Sequence, residues 1–202
     1  LDASEPKTTF VNSADVVRWN MHKGYLRDPA DRGVPVVPTH YVERNERPDI
    51  HAICERRGWS EILIKPYIGG SAYLTKRFAV EDVSSNAVEH LTALTGIQDA
   101  MIQPYLPAVK SSRERALVFI DGAYSHAGLK APFNAGPVGG EEAAVPFVPA
   151  RDEIDFARSV IAALDTIPDD ARVDFVVTGD GPLVMPPRSS RDVGEYSDST
   201  LP

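Results

Sequence analysis

An α+β fold with antiparallel sheets is predicted by three features of the chain. Apolar extended segments come in pairs joined by turn residues, segments of helical spacing lie between those pairs, and the pairing is too local for a doubly wound parallel sheet. The clearest pair is "RERALVFIDGAYSHAGLK", with Asp121-Gly122 as its turn dipeptide. A second, "ARVDFVVTGDGPLVM", turns at Gly-Asp-Gly, and a third joins "EILIKP" to "YLTKRF" through a glycine loop.

Taken in order, "NSADVVRWNMHKGYLRD" predicts one helix with Asn12 or Ser13 as N-cap, stopped by Pro29. The prolines of "GVPVVPTHYV" confine that extended run to a sheet edge or a linker. Residues Thr39 to Trp59 carry a short helix ending at Gly58. "EILIKP" reads as a buried strand. Val83, Ala87, Val88, Leu91 and Leu94 have helical spacing, with Gly96 closing that helix. "AMIQPYL" is a strand ended by proline, and "NAGPVGGEEAAVP" is a loop by composition. The last helix, "RDEIDFARSVIAALDTI", puts Ile154, Ala157, Val160, Ile161 and Leu164 on one face. The stretch from Pro186 to Pro202 has no periodicity and reads as a disordered tail.

Composition narrows the function classes. A chain of 202 residues, 43% hydrophobic and 25% charged, can bury one large core or two small ones. A net charge of −8 argues against a nucleic-acid partner, which calls for a basic face. No apolar run is long enough to span a bilayer, so no membrane partner is expected. The N-terminus lacks a signal-peptide pattern, and Cys54 is the only cysteine, which excludes an intramolecular disulfide. A cytoplasmic protein is expected.

Several polar residues interrupt apolar strands. Lys65 ends the run "ILIKP" shortly before Gly69-Gly70-Ser71, a loop whose backbone N–H groups could approach a phosphate or simply form a flexible hairpin tip. Lys130 sits between Leu129 and Ala131. Arg172 and Asp174 alternate with Val173 and Phe175, so the charged pair shares one strand face. Such a face is either a solvated sheet surface or the floor of a polar site. His51 and Cys54 lack the further ligands of a metal site. Ser125 and His126, adjacent on a strand, face opposite ways and do not make a catalytic pair.

In order along the chain, "RWNMHKGYL", "GVPVVPTHYV", "EILIKPYIGGSAY", "MIQPYL", "RERALVFIDGAYSHAGLK" and "ARVDFVV" resemble the ATP-grasp superfamily, in its glutathione synthetase-like and ribosomal-modification-type branch. The resemblance implies two α+β subdomains with antiparallel sheets enclosing ATP. Residues 1–30 would form an N-terminal helix, 31–105 the small subdomain with its glycine lid, 106–185 the large subdomain with the metal-site hairpin, and 186–202 the tail.

It also implies roles. Lys23 and Lys65 would reach the phosphates under a lid of Gly69, Gly70 and Ser71. Gln103 would face the adenine amino group, Leu106 would line the hinge beside adenine, and Glu114 would take the ribose hydroxyls. Lys130 and Arg172 would face the γ-phosphate and an acyl phosphate, and Asp174 would be the first Mg²⁺ ligand. The implied cofactors are ATP and Mg²⁺, and the implied partner is a small amino-acid or peptide-like substrate. The implied reaction activates a carboxylate as an acyl phosphate for attack by an amine or similar nucleophile. A homodimer is expected from the family habit.

The chain departs from the family pattern in three places. Where the pattern has Glu and then Glu or Asn after the strand "GPLVM", this chain has Pro186 and Arg188, neither of which ligates Mg²⁺. Glu195 and Asp198 follow, but nothing in the sequence fixes them there. The loop "NAGPVGGEEAAVP" has Glu141 and Glu142 where an arginine belongs, and the family's N-terminal domain does not precede the "RWNMHK" helix in these residues. A nucleotide-binding module of the same fold, without turnover, is therefore the alternative.

Overall fold

A computed structural model describes residues 11–69, 74–130 and 144–186. They fall into two compact units, one built from the residues up to Val37 together with Leu106–Pro186, the other from Pro38–Tyr105. Among the described residues, no helix is long and apolar enough to cross a membrane.

The Pro38–Tyr105 unit is a four-stranded antiparallel sheet in the order β1-β4-β2-β3, with β1 His40–Val42, β2 Glu61–Pro66, β3 Lys76–Ala79 and β4 Ala100–Pro104. Strand β1 lies at the edge, where the prolines before it cost no ladder hydrogen bond. Helices α3 (Ile50–Arg57) and α4 (Val88–Thr95) supply Ile50, Ile53, Leu91 and Leu94 to a core shared with Ile62, Ile64, Ala100 and Ile102. Strand β2 alternates half-buried and buried residues, so the run expected as a buried strand turns Ile62, Ile64 and Pro66 fully inward and leaves the alternate residues half-buried. Asp49 caps α3, and Gly58 ends it at φ 65°. Gly96 follows α4 in the right-handed region, φ −62°, so that helix ends without the left-handed turn a glycine suggests.

The other unit holds a five-stranded antiparallel sheet in the order β7-β6-β5-β8-β9. Its strands are β5 Glu114–Ile120, β6 Ala123–Lys130, β7 Val145–Pro146, β8 Asp170–Thr178 and β9 Gly181–Val184. Asp121 (φ 50°) and Gly122 (φ 72°) both take positive φ, the turn that matches the twist of a two-residue hairpin. Of its helices α5 (Ala108–Ser111) and α6 (Arg151–Ala162), the latter packs Ala157, Val160 and Ile161 against Leu117, Phe119, Val173 and Phe175.

The N-terminal segment departs from the single helix expected. Helix α1 (Ala14–Met21) is capped by Ser13 and stops at His22, whose extended backbone breaks it. One 3₁₀ turn, Lys23–Leu26, leads into α2 (Arg27–Asp31), which contains Pro29 instead of ending before it. Pro29 is tolerated because the first turn of a helix has no intrahelical acceptor for its N–H groups. Between Pro35 and Pro38, Val37 donates to the Val184 carbonyl at 3.0 Å and Val184 donates to that of Pro35 at 2.8 Å, a short parallel bridge.

Candidate functional site

The β6-β5-β8 sheet has two faces of opposite chemistry. Leu117, Phe119, Val173 and Phe175 fill the core under α6. The alternating residues form rows across the other face: Lys130 opposite Glu114, Gly128 opposite Ala116 opposite Asp174, and His126 opposite Val118 opposite Arg172. Three hydrogen bonds converge on Asp174. Lys130 Nζ donates to its Oδ2 at 2.7 Å, and Arg172 Nε and an Nη donate to Oδ1 and Oδ2 at 2.9 Å each. Lys130 Nζ also lies 3.1 Å from Glu114 Oε1.

Asp174 is 3% exposed and Glu114 fully buried. Of the two readings of this face, a solvated sheet surface does not fit this burial. Two carboxylates and two cations neutralise one another there, because a buried charge without a partner is strongly disfavoured. Glu114 stands in the same cluster as Asp174.

The end of β9 runs beside this cluster. Met185 N–H donates to the Asp174 carbonyl at 2.7 Å, so the next residue, the buried Pro186, follows directly where the family pattern has a carboxylate. Among the described residues, no group of three or more His, Cys, Asp or Glu side chains is arranged to hold a metal. Asp174 therefore offers a divalent ion one carboxylate and would have to exchange Arg172 or Lys130 for it. Arg188, Glu195 and Asp198 lie outside the described residues.

Lys23 sits in the 3₁₀ turn after α1, next in the chain to a segment whose Leu26 is wholly buried. Only 8% of Lys23 is exposed, and burial lowers its amine to a pKa of about 8. His126 shares the Arg172 row but is exposed; its Nδ1 lies 3.1 Å from Ser125 Oγ. A register shift between Val118 and Phe119 leaves Ser125 as the extra residue of a bulge, which is how two neighbours in sequence come into contact. Strand alternation alone had excluded that contact.

In the other unit, the sheet face away from the core carries Glu61, Leu63 and Lys65 of β2 beside Met101 and Gln103 of β4, with Leu63 opposite Gln103 and Lys65 opposite Met101. Gln103 is 1% exposed. Its Nε2 donates to Thr39 Oγ1 at 2.7 Å, and its Oε1 is buried with no hydrogen-bond partner among the described residues. Gly69 follows this strand, while Gly70 and Ser71, the rest of the expected lid, lie outside the described residues. Leu106 belongs to the unit of the five-stranded sheet, where it is half-buried against Val37, Val109, Val176 and Met185.

Two contacts on this face had no sequence signal. Thr39 meets Gln103 across 64 residues of chain. Arg77 of β3 lays its guanidinium 3.6 Å from the centre of the Tyr105 ring and pairs with Glu61, tying the strand after the glycine loop to the end of β4.

No protein-family model matches the chain. It is 30% identical over 197 residues to the cycloserine biosynthesis protein DcsG of Streptomyces lavendulae, an alignment that covers 88% of this chain and 64% of that protein. The chain thus spans just under two thirds of the length of that curated relative. Among solved structures, that of the D-cycloserine synthetase DcsG superposes with a TM-score of 0.77 at 27% identity, covering 92% of this chain and 67% of the other. The ATP-grasp ligase PsnB complexed with minimal precursor gives 0.63 at 18% identity, over 91% of this chain and 56% of PsnB. D-alanine–D-alanine ligase from Bacillus anthracis complexed with ATP gives 0.60 at 14% identity, over 82% and 52%. These last two likenesses concern the fold alone.

Proposed function

Because the chain is a member of the ATP-grasp superfamily, we propose that it binds ATP and acts in a carboxylate–amine ligation of amino-acid or peptide-like substrates. The observation that carries the reading is the buried cluster of Lys130, Arg172, Asp174 and Glu114 at the end of a sheet whose other face is core. A preformed pair of cations held by carboxylates suits a reaction in which negative charge spreads over phosphoryl oxygens, since the donors need no reorganisation as that charge develops.

In this reading the carboxylate of one substrate attacks the γ-phosphorus of ATP, and the bond to the β-phosphate oxygen breaks to release ADP. An amine then attacks the acyl carbon, loses a proton, and expels inorganic phosphate. Lys130 and Arg172 hold the transferring phosphoryl oxygens, with Asp174 and Glu114 fixing the two cations between turnovers. Lys23 and Lys65 supply charge to the remaining phosphates. Gln103 supports adenine binding, because its buried Oε1 is an acceptor awaiting a donor. Asp174 would hold one Mg²⁺ together with phosphate oxygens, and the ion when bound would neutralise charge on the phosphates.

Pro186 and the Arg172 fork on Asp174 favour a second reading, a nucleotide-binding module without turnover. Calorimetry with ATP, with and without Mg²⁺, on the chain and on Pro186→Glu tests both, followed by ADP release with a panel of amino acids. ATP binding with amino-acid-dependent ADP release supports the ligase. Binding without release under any acceptor, and a gain of Mg²⁺ dependence in Pro186→Glu, supports the module. Absence of ATP binding overturns both.

A further inference from the structure

We propose that Thr39 selects the purine base by orienting the carboxamide of Gln103. The inference rests on the nucleotide-binding reading above. Thr39 immediately precedes edge strand β1, and the register His40 opposite Ile102 brings it beside Gln103 on the sheet face away from the core. Gln103 Nε2 donates to Thr39 Oγ1 at 2.7 Å. With that end engaged, the other end presents Oε1, an acceptor with no hydrogen-bond partner among the described residues and in a side chain only 1% exposed.

A buried acceptor left unmet is disfavoured, and a ligand that brings a donor to it relieves that cost. The 6-amino group of adenine is such a donor. The 6-oxo group of guanine would set one acceptor against another, and accommodating it would require the amide to rotate and the Thr39 hydroxyl to turn from acceptor to donor. Thr39 is thus a positioning residue, with no contact to the base itself. The neighbours of Gln103 across the sheet do not compete for this role: Leu63 stands opposite it and has no polar side-chain atom.

The test is titration calorimetry with ATP and GTP in parallel, read as the ratio of the two affinities. The natural chain and Thr39→Ser, which keeps the hydroxyl, are expected to prefer ATP. Thr39→Val, nearly the same shape without the hydroxyl, is expected to lose about tenfold of that preference, the worth of one such hydrogen bond. In Gln103→Glu both side-chain oxygens accept, so amide orientation ceases to matter, and adding Thr39→Val to it is expected to leave the ratio where it was. A Thr39→Val chain that weakens ATP and GTP equally, or retains its ratio, overturns the proposal while the nucleotide-binding reading stands. An equal loss of ratio on the Gln103→Glu background also overturns it. If the natural chain binds neither nucleotide, the nucleotide-binding reading itself falls and this proposal with it.

Discussion

Lys130 Nζ reaches Asp174 Oδ2 at 2.7 Å although the two residues belong to strands that are not neighbours, since β5 lies between β6 and β8. The residue of β5 that stands in the Asp174 row is Ala116, and its partner on β6 is Gly128. Small side chains at these two positions leave the space above β5 to the lysine. The ion pair therefore depends on what is missing from the intervening strand as much as on its two charged ends.

Replacing Ala116 by leucine is expected to drive a branched side chain into that space and separate Lys130 from Asp174. Overpacking of this kind costs about 1–3 kcal/mol, with loss of the ion pair added to it. Urea unfolding of Ala116→Leu beside Ala116→Ser, which keeps the volume small, measures the difference. Equal stability of the two would show that the lysine does not need the gap.

Lys130→Met is expected to be the most damaging single change in the cluster. It takes from the buried Glu114 and Asp174 the ammonium that contacts both, and breaking a buried pair by removing one partner costs about 3–5 kcal/mol. Arg172→Met should cost less, because the arginine is the more exposed of the two cations and Asp174 keeps Lys130. The midpoints of urea unfolding at neutral pH rank the two variants, and the reverse order would refute this assignment of roles.

Nucleotide affinity is expected to fall as pH rises through about 8, the value to which burial lowers Lys23. The sign follows from the amine: below that pH it is an ammonium that attracts a phosphate, and above it is neutral. Binding should accordingly take up protons near pH 8, seen as a dependence of calorimetric heat on the buffer's ionisation enthalpy. Lys23→Arg, charged throughout, should bind with a flat profile over the same range. An unchanged profile in that variant would remove Lys23 from the phosphate site.

Gly122→Ala is expected to destabilise the chain by about 1 kcal/mol, since φ 72° at this position disfavours any residue with a Cβ while the space around it is open. Gly179, at the other hairpin turn, also has open space but no positive φ, so alanine there should be neutral or slightly stabilising. Thermal unfolding of the two variants separates backbone strain from packing, because neither new methyl meets a neighbour.

Much of this protein is legible in its sequence. Strand alternation in "ARVDFVV" placed Arg172 and Asp174 on one face and Val173 and Phe175 on the other, and Asp121-Gly122 announced its hairpin, because both signals are local and periodic. The break at His22 was not legible: nothing in "WNMHKGYL" marks it, and Pro29 drew attention to the wrong place by being acceptable inside a first turn. The bulge at Ser125 was hidden for a related reason, since an extra residue in one strand is defined only against its partner.

Taken alone, the sequence determined the α+β class, the order of the strands along the chain and the residue types available for phosphate chemistry, for these depend on spacing and side-chain chemistry within short windows. The tertiary structure was needed to show that Lys130 pairs with Asp174 across Ala116, that Glu114 joins them without exposure, and that Gln103 leans on Thr39. Each of these relations joins segments far apart in the chain, where burial and register set the distance and charge chooses the partner.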